Sequence, residues 1–219
     1  DVCSSELVES YLISISEHGS DDANEDLYGR LSMWRAYGGN TNVALVLNNF
    51  PFMSPSDALH AYTSPVLYRD TDGFKVEFGE FVDSLEEHFD LIGSLNPIDI
   101  ANCLVYAFHN SVLSTKHPGF SEEREWRIIY SPTIKSSDKI ASSVETIAGV
   151  PQRVYKIPFL NHPEEGFTGA TIPEVLDRII IGPTQYPWPI YDAFVSELES
   201  VGVENASQRV FVSTVPLLR

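Results

Sequence analysis

Hydrophobic and polar positions alternate in some stretches of the chain and recur at helical spacing in others, which predicts a mixture of strands and helices. Strands are predicted over residues 8–16, 42–47, 66–68, 126–130, 153–159, 178–184 and 210–212. Helices are predicted over residues 27–37, 76–92, 97–112, 172–176 and 190–201, with a weaker helical patch over 140–147. Proline-rich residues 51–65 predict a loop with a short turn.

The two longest predicted helices have apolar faces, which indicates that they pack on a core. Phe78, Phe81 and Phe89 recur at helical spacing in the first of them, and we expect these rings to be buried. Asn96-Pro97 starts the second helix, because asparagine caps helices and proline fits their first turn. His109 lies on that helix, and we expect it to be a histidine with satisfied hydrogen bonds.

The last three predicted elements are a strand, a helix that ends at Gly202, and a final strand. A connection of this length permits a right-handed crossover, so the two strands can be parallel. No repeat and no linker divides the chain. The pattern predicts one α+β domain over residues 1–219, with a mixed, mostly antiparallel sheet, several packed helices and a C-terminal βαβ unit.

The chain is acidic: its 31 acidic and 14 basic residues give a formal net charge of −17 over 219 residues. Such a charge repels phosphate backbones and anionic membranes, so nucleic acid is an unfavoured partner. No window approaches the roughly 18 apolar residues of a membrane span, and the first residues lack a signal-peptide pattern. We expect a soluble, cytoplasmic protein without a membrane partner. The two cysteines, Cys3 and Cys103, are too few for a disulfide scaffold, and we expect Cys103 to be a buried, inert thiol.

Opposed charges are concentrated in residues 116–130. Lys116, Arg124 and Arg127 fall within twelve positions of this stretch and are a sizeable share of the cations in the chain. A local positive pocket in a negative protein concentrates a small anionic ligand. The alternative is a cluster of ion pairs that satisfies itself.

Glu123 and Glu125 are two residues apart where this stretch becomes a strand. If the segment is extended, both carboxylates emerge on one face together with Arg127, while Arg124 and Trp126 take the other face. Paired carboxylates can form an acid–base couple, or one of them can stabilise a developing oxocarbenium ion. The same spacing is common in structural salt-bridge ladders. We therefore favour a structural ion-pair network over a catalytic pair for these glutamates.

Trp34, Arg35 and Tyr37 form a second dense patch that precedes Gly38-Gly39. An aromatic surface, a cation and a hydroxyl together suit a nucleotide ring and a phosphate. Core packing of Trp34 is an equal alternative. The sequence has no metal-spaced cluster of histidines or cysteines, so no metal is expected.

Several blocks of the chain resemble a bacterial domain-of-unknown-function family, number 2971. They are Ile13-Ser14-Ile15-Ser16-Glu17, Leu31 to Gly38 with its Trp-Arg-x-Tyr-Gly pattern, Lys116 to Phe120, Glu122 to Arg127, Ile179 to Thr184, and Ser213 to Pro216. The resemblance implies a bacterial intracellular protein and brings no settled biochemistry with it.

A more distant resemblance connects the chain with ADP-ribosyltransferases. In those enzymes a catalytic glutamate, often in a Glu-x-Glu pair, opens a late strand, and an aromatic or serine-rich motif on an earlier strand shapes the site for NAD. This resemblance implies that NAD is the substrate and that Glu125, with Glu123, is catalytic. It also implies that the Trp34 to Tyr37 block takes the role of the earlier motif, with stacking by Tyr37 and a pyrophosphate contact from Arg35 or Arg127. Trp34, Lys116 and His117 complete the expected ligand-binding set.

One departure from the family pattern affects this expectation. The pattern begins with a strand that carries a Tyr-His-Tyr-Thr-like motif and an Asn-Asp-Pro, and the chain begins after that place. A truncation, a partner polypeptide or second copy that supplies the missing part, or a degenerate member would each explain the departure. The alternative function is therefore a non-catalytic ligand-binding or protein-interaction module of a bacterial stress or phage-defence system.

Overall fold

A computed structural model describes residues 9–19, 23–39 and 41–216 of the chain. Helices and strands both contribute, and most strand pairs are antiparallel, which confirms the α+β class. Cys3, Val8 and Asn40, to which the sequence predictions extend, lie outside the described residues.

The strands are β1 (Tyr11–Ser16), β2 (Val43–Leu47), β3 (Ala61–Pro65), β4 (Leu67–Tyr68), β5 (Thr115–Lys116), β6 (Glu125–Tyr130), β7 (Ala141–Ile147), β8 (Val150–Lys156), β9 (Leu176–Ile181) and β10 (Val210–Val212). The α-helices are α1 (Ala23–Tyr28), α2 (Leu31–Tyr37), α3 (Thr71–Glu87), α4 (Phe89–Gly93), α5 (Pro97–Leu113), α6 (Ile172–Val175) and α7 (Pro187–Ser200). Short 3₁₀ helices span Phe50–Met53, Pro118–Glu123, Pro163–Glu165 and Ala206–Gln208.

The described residues divide into two compact units. The first contains residues 9–17 and 61–133, and the second contains 18–60 and 134–216, within the described ranges. The prediction of one domain over the whole chain stays a prediction. Each unit has its own three-stranded sheet.

In the first unit, β6 lies between β1 and β3 and pairs antiparallel with both. Its isoleucine-rich sequence suits a central strand, and Ile129 is only 2% exposed. A second, two-stranded sheet pairs β4 with β5 in parallel. The last part of the loop predicted for residues 51–65 is the strand β3. Its central residues are polar, so the sequence shows little apolar alternation there.

Both long helices of this unit begin at side-chain caps. The Asp70 carboxylate accepts a hydrogen bond from the Gly73 N–H at 2.8 Å, and α3 starts at Thr71. The Asn96 side chain accepts from the Ile98 N–H at 2.9 Å, and Pro97 occupies the first turn of α5. The predicted start of α5 is thus confirmed, whereas the predicted 76–92 helix is two helices, α3 and α4, separated at His88.

The apolar faces of these helices are more exposed than the sequence predicts. Phe78 is 40% exposed and Phe89 is 71% exposed, so the expectation that they are core residues is wrong. Cys103 on α5 is also exposed, which corrects the expected buried thiol. Periodicity shows that a helix has an apolar side, but it does not show how much of that side the rest of the fold covers. His109 behaves as expected: its Nε2 hydrogen-bonds the Ser10 hydroxyl at 2.8 Å and the Ser131 hydroxyl at 3.0 Å.

In the second unit, β9 lies between β10 and β2. It pairs parallel with β10 and antiparallel with β2, and α7 connects the two parallel strands, which confirms the C-terminal βαβ unit. Ile180 and Ile181 on β9 are fully buried. The main core cluster comprises Leu176, Ile179, Ile181, Leu198, Val203, Ala206 and Val210.

A two-stranded hairpin, β7 with β8, replaces the helical patch predicted for residues 140–147. Ile147 pairs with Val150 across a two-residue turn in which Ala148 and Gly149 both have positive φ angles, 50° and 83°. Two positive φ angles are typical of the tight turns that favour hairpins. Residues 141–147 therefore form a strand, and Gly149 marks the turn.

Gly182, which follows β9, is predicted to tolerate no side chain. A Cβ atom at this position would lie 2.9 Å from ring atoms of Trp34 and 2.9 Å from the Asn42 Cβ. Gly182→Ala is expected to lower the free energy of unfolding by about 1–3 kcal/mol through overpacking. Urea unfolding would test this, with Gly79→Ala as the control, because a Cβ there meets no atom within 4 Å. An equal or smaller loss for Gly182→Ala would contradict the prediction.

Candidate functional site

The charged stretch forms its cluster around β6, the central strand of the first unit. Glu125 and Arg127 are two residues apart on this strand, so their side chains point to the same face of the sheet. Ser14 on β1 and Ser64 on β3 are the cross-strand partners of Arg127 and share that face. The structure thus places Glu125 and Arg127 on one face of the sheet, as the sequence predicts.

Glu125 is a buried carboxylate that accepts hydrogen bonds on both oxygens, and only 5% of the residue is exposed. Its Oε1 accepts from the Ser14 hydroxyl at 2.5 Å and from the Arg127 Nε–H at 2.8 Å. Its Oε2 accepts from the Lys116 Nζ at 2.9 Å and from the Arg127 Nη2 at 3.3 Å. The Glu125 backbone N–H donates to the Tyr68 hydroxyl at 2.7 Å. Four donors therefore fix the position of this carboxylate.

Lys116 links the two glutamates. Its ammonium group donates to Glu123 as well as to Glu125, and it lies 5.0 Å from the centre of the Phe120 ring. Arg127 donates in addition to the Leu113 carbonyl, at the end of α5. The two carboxylates and two cations of this group, the Glu125 cluster, balance in formal charge.

The backbone at Glu123 differs from the extended segment that the sequence predicts. Residues Pro118–Glu123 form a 3₁₀ helix, and Arg124 has a positive φ of 45°, so the strand begins only at Glu125. The two glutamates are consequently brought together by Lys116 and not by strand alternation. The Ser16 hydroxyl donates to the Glu123 carbonyl and holds this turn against β1.

The cluster keeps Glu125 ionised. Burial raises the pKa of its carboxyl group, but the hydrogen bonds from Arg127, Ser14 and Lys116 outweigh burial and lower the pKa from 4.5 to about 2. Burial likewise lowers the pKa of Lys116, and its hydrogen bonds with Glu123 and Glu125 reverse that effect and raise the pKa above its ordinary value. At neutral pH, Glu125 is an anion and a weak base.

The stability that Glu125 contributes is expected to fall in acid. Because its folded pKa of about 2 lies below the unfolded value of 4.5, the contribution is complete above pH 4.5 and is lost as the pH falls towards 2. The shift corresponds to about 3 kcal/mol, of which about 2 kcal/mol is lost by pH 3. The difference in unfolding free energy between the wild type and Glu125→Gln should shrink accordingly between pH 7 and pH 3 in urea titrations. A difference that stays constant with pH would contradict this expectation.

The other predicted site residues lie on other elements. Trp34, Arg35 and Tyr37 lie on α2 in the second unit. Trp34 is buried and its Nε1–H donates to the Tyr28 carbonyl at 2.9 Å, which favours the packing alternative for its role. Arg35 and Tyr37 are exposed. His117 is also exposed, and its Nδ1 accepts from the Gly119 N–H at 3.1 Å as the cap of the 3₁₀ helix.

Sequence reasoning did not assign Ser14 and Tyr68 to the site. Ser14 contacts Glu125 through the pairing of β1 with β6, which are more than 100 residues apart in the chain. The available signal was the Ser-x-Ser spacing of Ser14 and Ser16 on an otherwise apolar strand, because two hydroxyls at strand spacing share one face. Tyr68 had no comparable signal.

The described residues contain neither a metal-binding group nor a membrane-spanning helix. No group of three or more histidine, cysteine, aspartate or glutamate side chains there is arranged to hold a metal ion. Among the helices of residues 9–19, 23–39 and 41–216, none has the length and apolar character needed to cross a membrane.

Part of the chain is similar to a known family. The model of a family described as a protein of unknown function, DUF2971, matches residues 33–128, from α2 through most of β6. This match confirms the family resemblance over that segment. No curated protein and no solved structure matches the chain.

Proposed function

We propose from the Glu125 cluster that the protein cleaves NAD, in the manner of an ADP-ribosyltransferase or NAD glycohydrolase. The observation that supports this most is the pairing of two motifs. The Ser14-x-Ser16 motif on β1 lies directly beside the Glu123-x-Glu125 motif. The distant resemblance implies a Glu-x-Glu pair on a late strand and an aromatic or serine-rich motif on an earlier one. The sequence favoured the Trp34 to Tyr37 block for the earlier motif, and the pairing of β1 with β6 supports Ser14 and Ser16 for it instead.

The ionisation state of Glu125 defines the role it would have. Cleavage of the bond between nicotinamide and ribose transfers the bonding pair to the nicotinamide nitrogen and leaves positive charge on the ribose. A fixed carboxylate anion lowers the energy of that oxocarbenium-like state. With a pKa of about 2, Glu125 is almost entirely ionised at neutral pH and so cannot be a general acid.

The remaining cluster residues would position Glu125. Ser14, Lys116 and Arg127 occupy its lone-pair directions, so the carboxylate acts through its charge and not as a nucleophile. Water, or the nucleophile of an acceptor molecule, then adds to the ribose carbon and loses a proton. Glu123 is the second carboxylate of the cluster and is the candidate to receive that proton.

The test is release of nicotinamide from NAD by the purified chain, measured chromatographically. Glu125→Gln keeps the side-chain shape and removes the charge, and the rate is expected to fall by at least about 100-fold. Ile129→Ala, on the same strand, is the matched control, because it is expected to destabilise the fold by a similar amount without altering a charge. Its rate should stay within a few fold of the wild type.

A second candidate function is a non-catalytic ligand-binding or protein-interaction module. The observation that favours it is the saturation of Glu125, since four hydrogen bonds and two neutralising cations are also what a purely structural ion-pair network needs. If the wild type released no nicotinamide above background, or if Glu125→Gln released it as fast as the wild type, this second function would be preferred.

A further inference from the structure

The β7–β8 hairpin of the second unit has two free edges. Its strands form a two-stranded sheet, and neither of them pairs with another strand among the described residues. The edge of a sheet presents unpaired N–H and C=O groups, which can accept a further strand from another chain. The residues at each edge therefore decide whether a strand can add there.

The tight turn at residues 148–149 determines which backbone groups point outward. In a hairpin closed by a two-residue turn, the flanking pair, here Ile147 and Val150, exchanges both backbone hydrogen bonds, and every second pair repeats this pattern. The residues in between turn their N–H and C=O groups to the outer edges. The outward-facing residues of β7 are Ser142, Val144 and Thr146. Those of β8 are Pro151, Arg153 and Tyr155.

The edge of β8 carries two features that discourage strand addition, and the edge of β7 carries neither. Pro151 has no N–H to donate, and Arg153 adds a charge. The outward-facing residues of β7 are uncharged and exposed, and Val144 is 70% exposed. The register of β7 with β8 has no bulge that would bend the strand away. The edge of β7 is thus open to another extended strand.

β7 is complementary to a second copy of itself in the antiparallel direction. When the two-fold axis passes beside Val144, this residue pairs with its own copy, and all seven residues of Ala141–Ile147 gain a partner. Ser142 then lies opposite Thr146 of the other copy. Each outward-facing residue exchanges both backbone hydrogen bonds with its partner, and the two exposed Val144 side chains contact each other on one face.

The charges of the hairpin are compatible with this pairing. Glu145 is the charged residue of β7, and it lies opposite Ser143 of the other copy in this register. An axis at Glu145 would instead place two carboxylates opposite each other, which is destabilising. Residues 141–156 contain one acidic and two basic residues, whereas the whole chain has a net charge of −17. Two copies therefore meet at a stretch without the acidic excess that otherwise repels them.

We propose that two copies of the chain associate through their β7 strands, which joins their hairpins into one continuous antiparallel sheet. The interface uses the same residues on both copies, so it closes as a dimer. An isolated two-stranded hairpin is only marginally stable in water, and the added strands stabilise it. The interface lies in the second unit and uses no residue of the Glu125 cluster, so it is independent of NAD cleavage.

The first test is sedimentation equilibrium of the full chain at concentrations up to about 0.5 mM, because small interfaces associate weakly. We expect a reversible equilibrium between monomer and dimer. Val144→Pro removes an outward-facing N–H on each copy and no hydrogen bond within the hairpin. The dissociation constant of the dimer should therefore rise by at least about tenfold.

Arg153→Pro is the matched control, because it makes the same change at the cross-strand position, on the edge of β8. Its dissociation constant should stay within about threefold of the wild type. The proposal would be overturned by a wild type that is monomeric throughout, by equal association of Val144→Pro and the wild type, or by equal losses in the two proline variants.

The second test determines the register and involves no proline. Its background carries Cys3→Ser and Cys103→Ser, which remove the two native thiols. Val144→Cys places a thiol on each copy beside the two-fold axis, where Cα atoms about 5.5 Å apart suit a disulfide. Mild oxidation should then give a covalent dimer.

Thr146→Cys in the same background is the control for this crosslink. In the proposed register its two copies lie four residues apart along the strands, about 13 Å, which is too far for a disulfide. Crosslinking should be at least about tenfold slower than for Val144→Cys. Equal rates for the two variants, or no crosslinking of Val144→Cys, would overturn the proposed pairing.

Discussion

Glu125→Gln is expected to lower the free energy of unfolding at pH 7 by about 3 kcal/mol, the value that its pKa shift from 4.5 to about 2 implies. The loss arises because Arg127 loses its carboxylate partner at a buried position and Lys116 keeps only that of Glu123. The amide of glutamine can still accept hydrogen bonds, so the effect is chiefly one of charge. Urea unfolding monitored by tryptophan fluorescence measures it.

The control for this substitution is Glu80→Gln, which removes the same charge from an exposed position on α3. Its effect should stay within about 0.5 kcal/mol. If both substitutions cost the same, the stability loss would reflect the overall charge of the chain and not the contacts of Glu125. The Glu125 cluster would then have no special role in holding the first unit together.

Trp34→Ala is expected to lower the free energy of unfolding by about 3–5 kcal/mol, because it removes a buried indole. Trp34 is 8% exposed and packs so closely on Gly29 and Gly182 that a Cβ atom at either glycine would lie within 3 Å of its ring. Tyr37→Ala, three residues later on the same helix, should cost less than about 0.5 kcal/mol, because Tyr37 is 66% exposed.

This pair of substitutions separates the two roles considered for the Trp34 patch. A core residue loses stability when truncated, whereas a ligand-stacking residue loses ligand affinity with little change in stability. Thermal unfolding of both variants, with and without NAD, distinguishes these outcomes. A small stability loss for Trp34→Ala would contradict the packing role that its position indicates.

The sequence predicted individual helices and strands better than it predicted which of them pair or pack together. Apolar β9, the capped start of α5 and the parallel β9–α7–β10 unit follow from periodicity and end signals within a short stretch. β3 and the β7–β8 hairpin were missed because their strands are polar, so pairing and turn geometry determine them instead of apolar alternation.

The same limit applies to the candidate site. The spacing of Glu125 and Arg127 predicted their shared face, and the density of opposed charge indicated an ion-pair cluster. The hydrogen bond from Ser14 depends on β1 pairing with β6, and the bridge from Lys116 depends on the left-handed turn at Arg124. A single sequence specifies neither of these long-range relations.

Both proposed roles of the Glu125 cluster depend on an ionised Glu125. The pKa of this carboxyl group can be measured directly by following the NMR signal of its carboxyl carbon as the pH is lowered. Comparison with the Glu125→Gln spectrum assigns the signal. With a pKa of about 2, the group should be only about 3% protonated at pH 3.5, so its chemical shift should hardly change from pH 7. A midpoint near 4.5, with about 90% protonation at pH 3.5, would contradict the account.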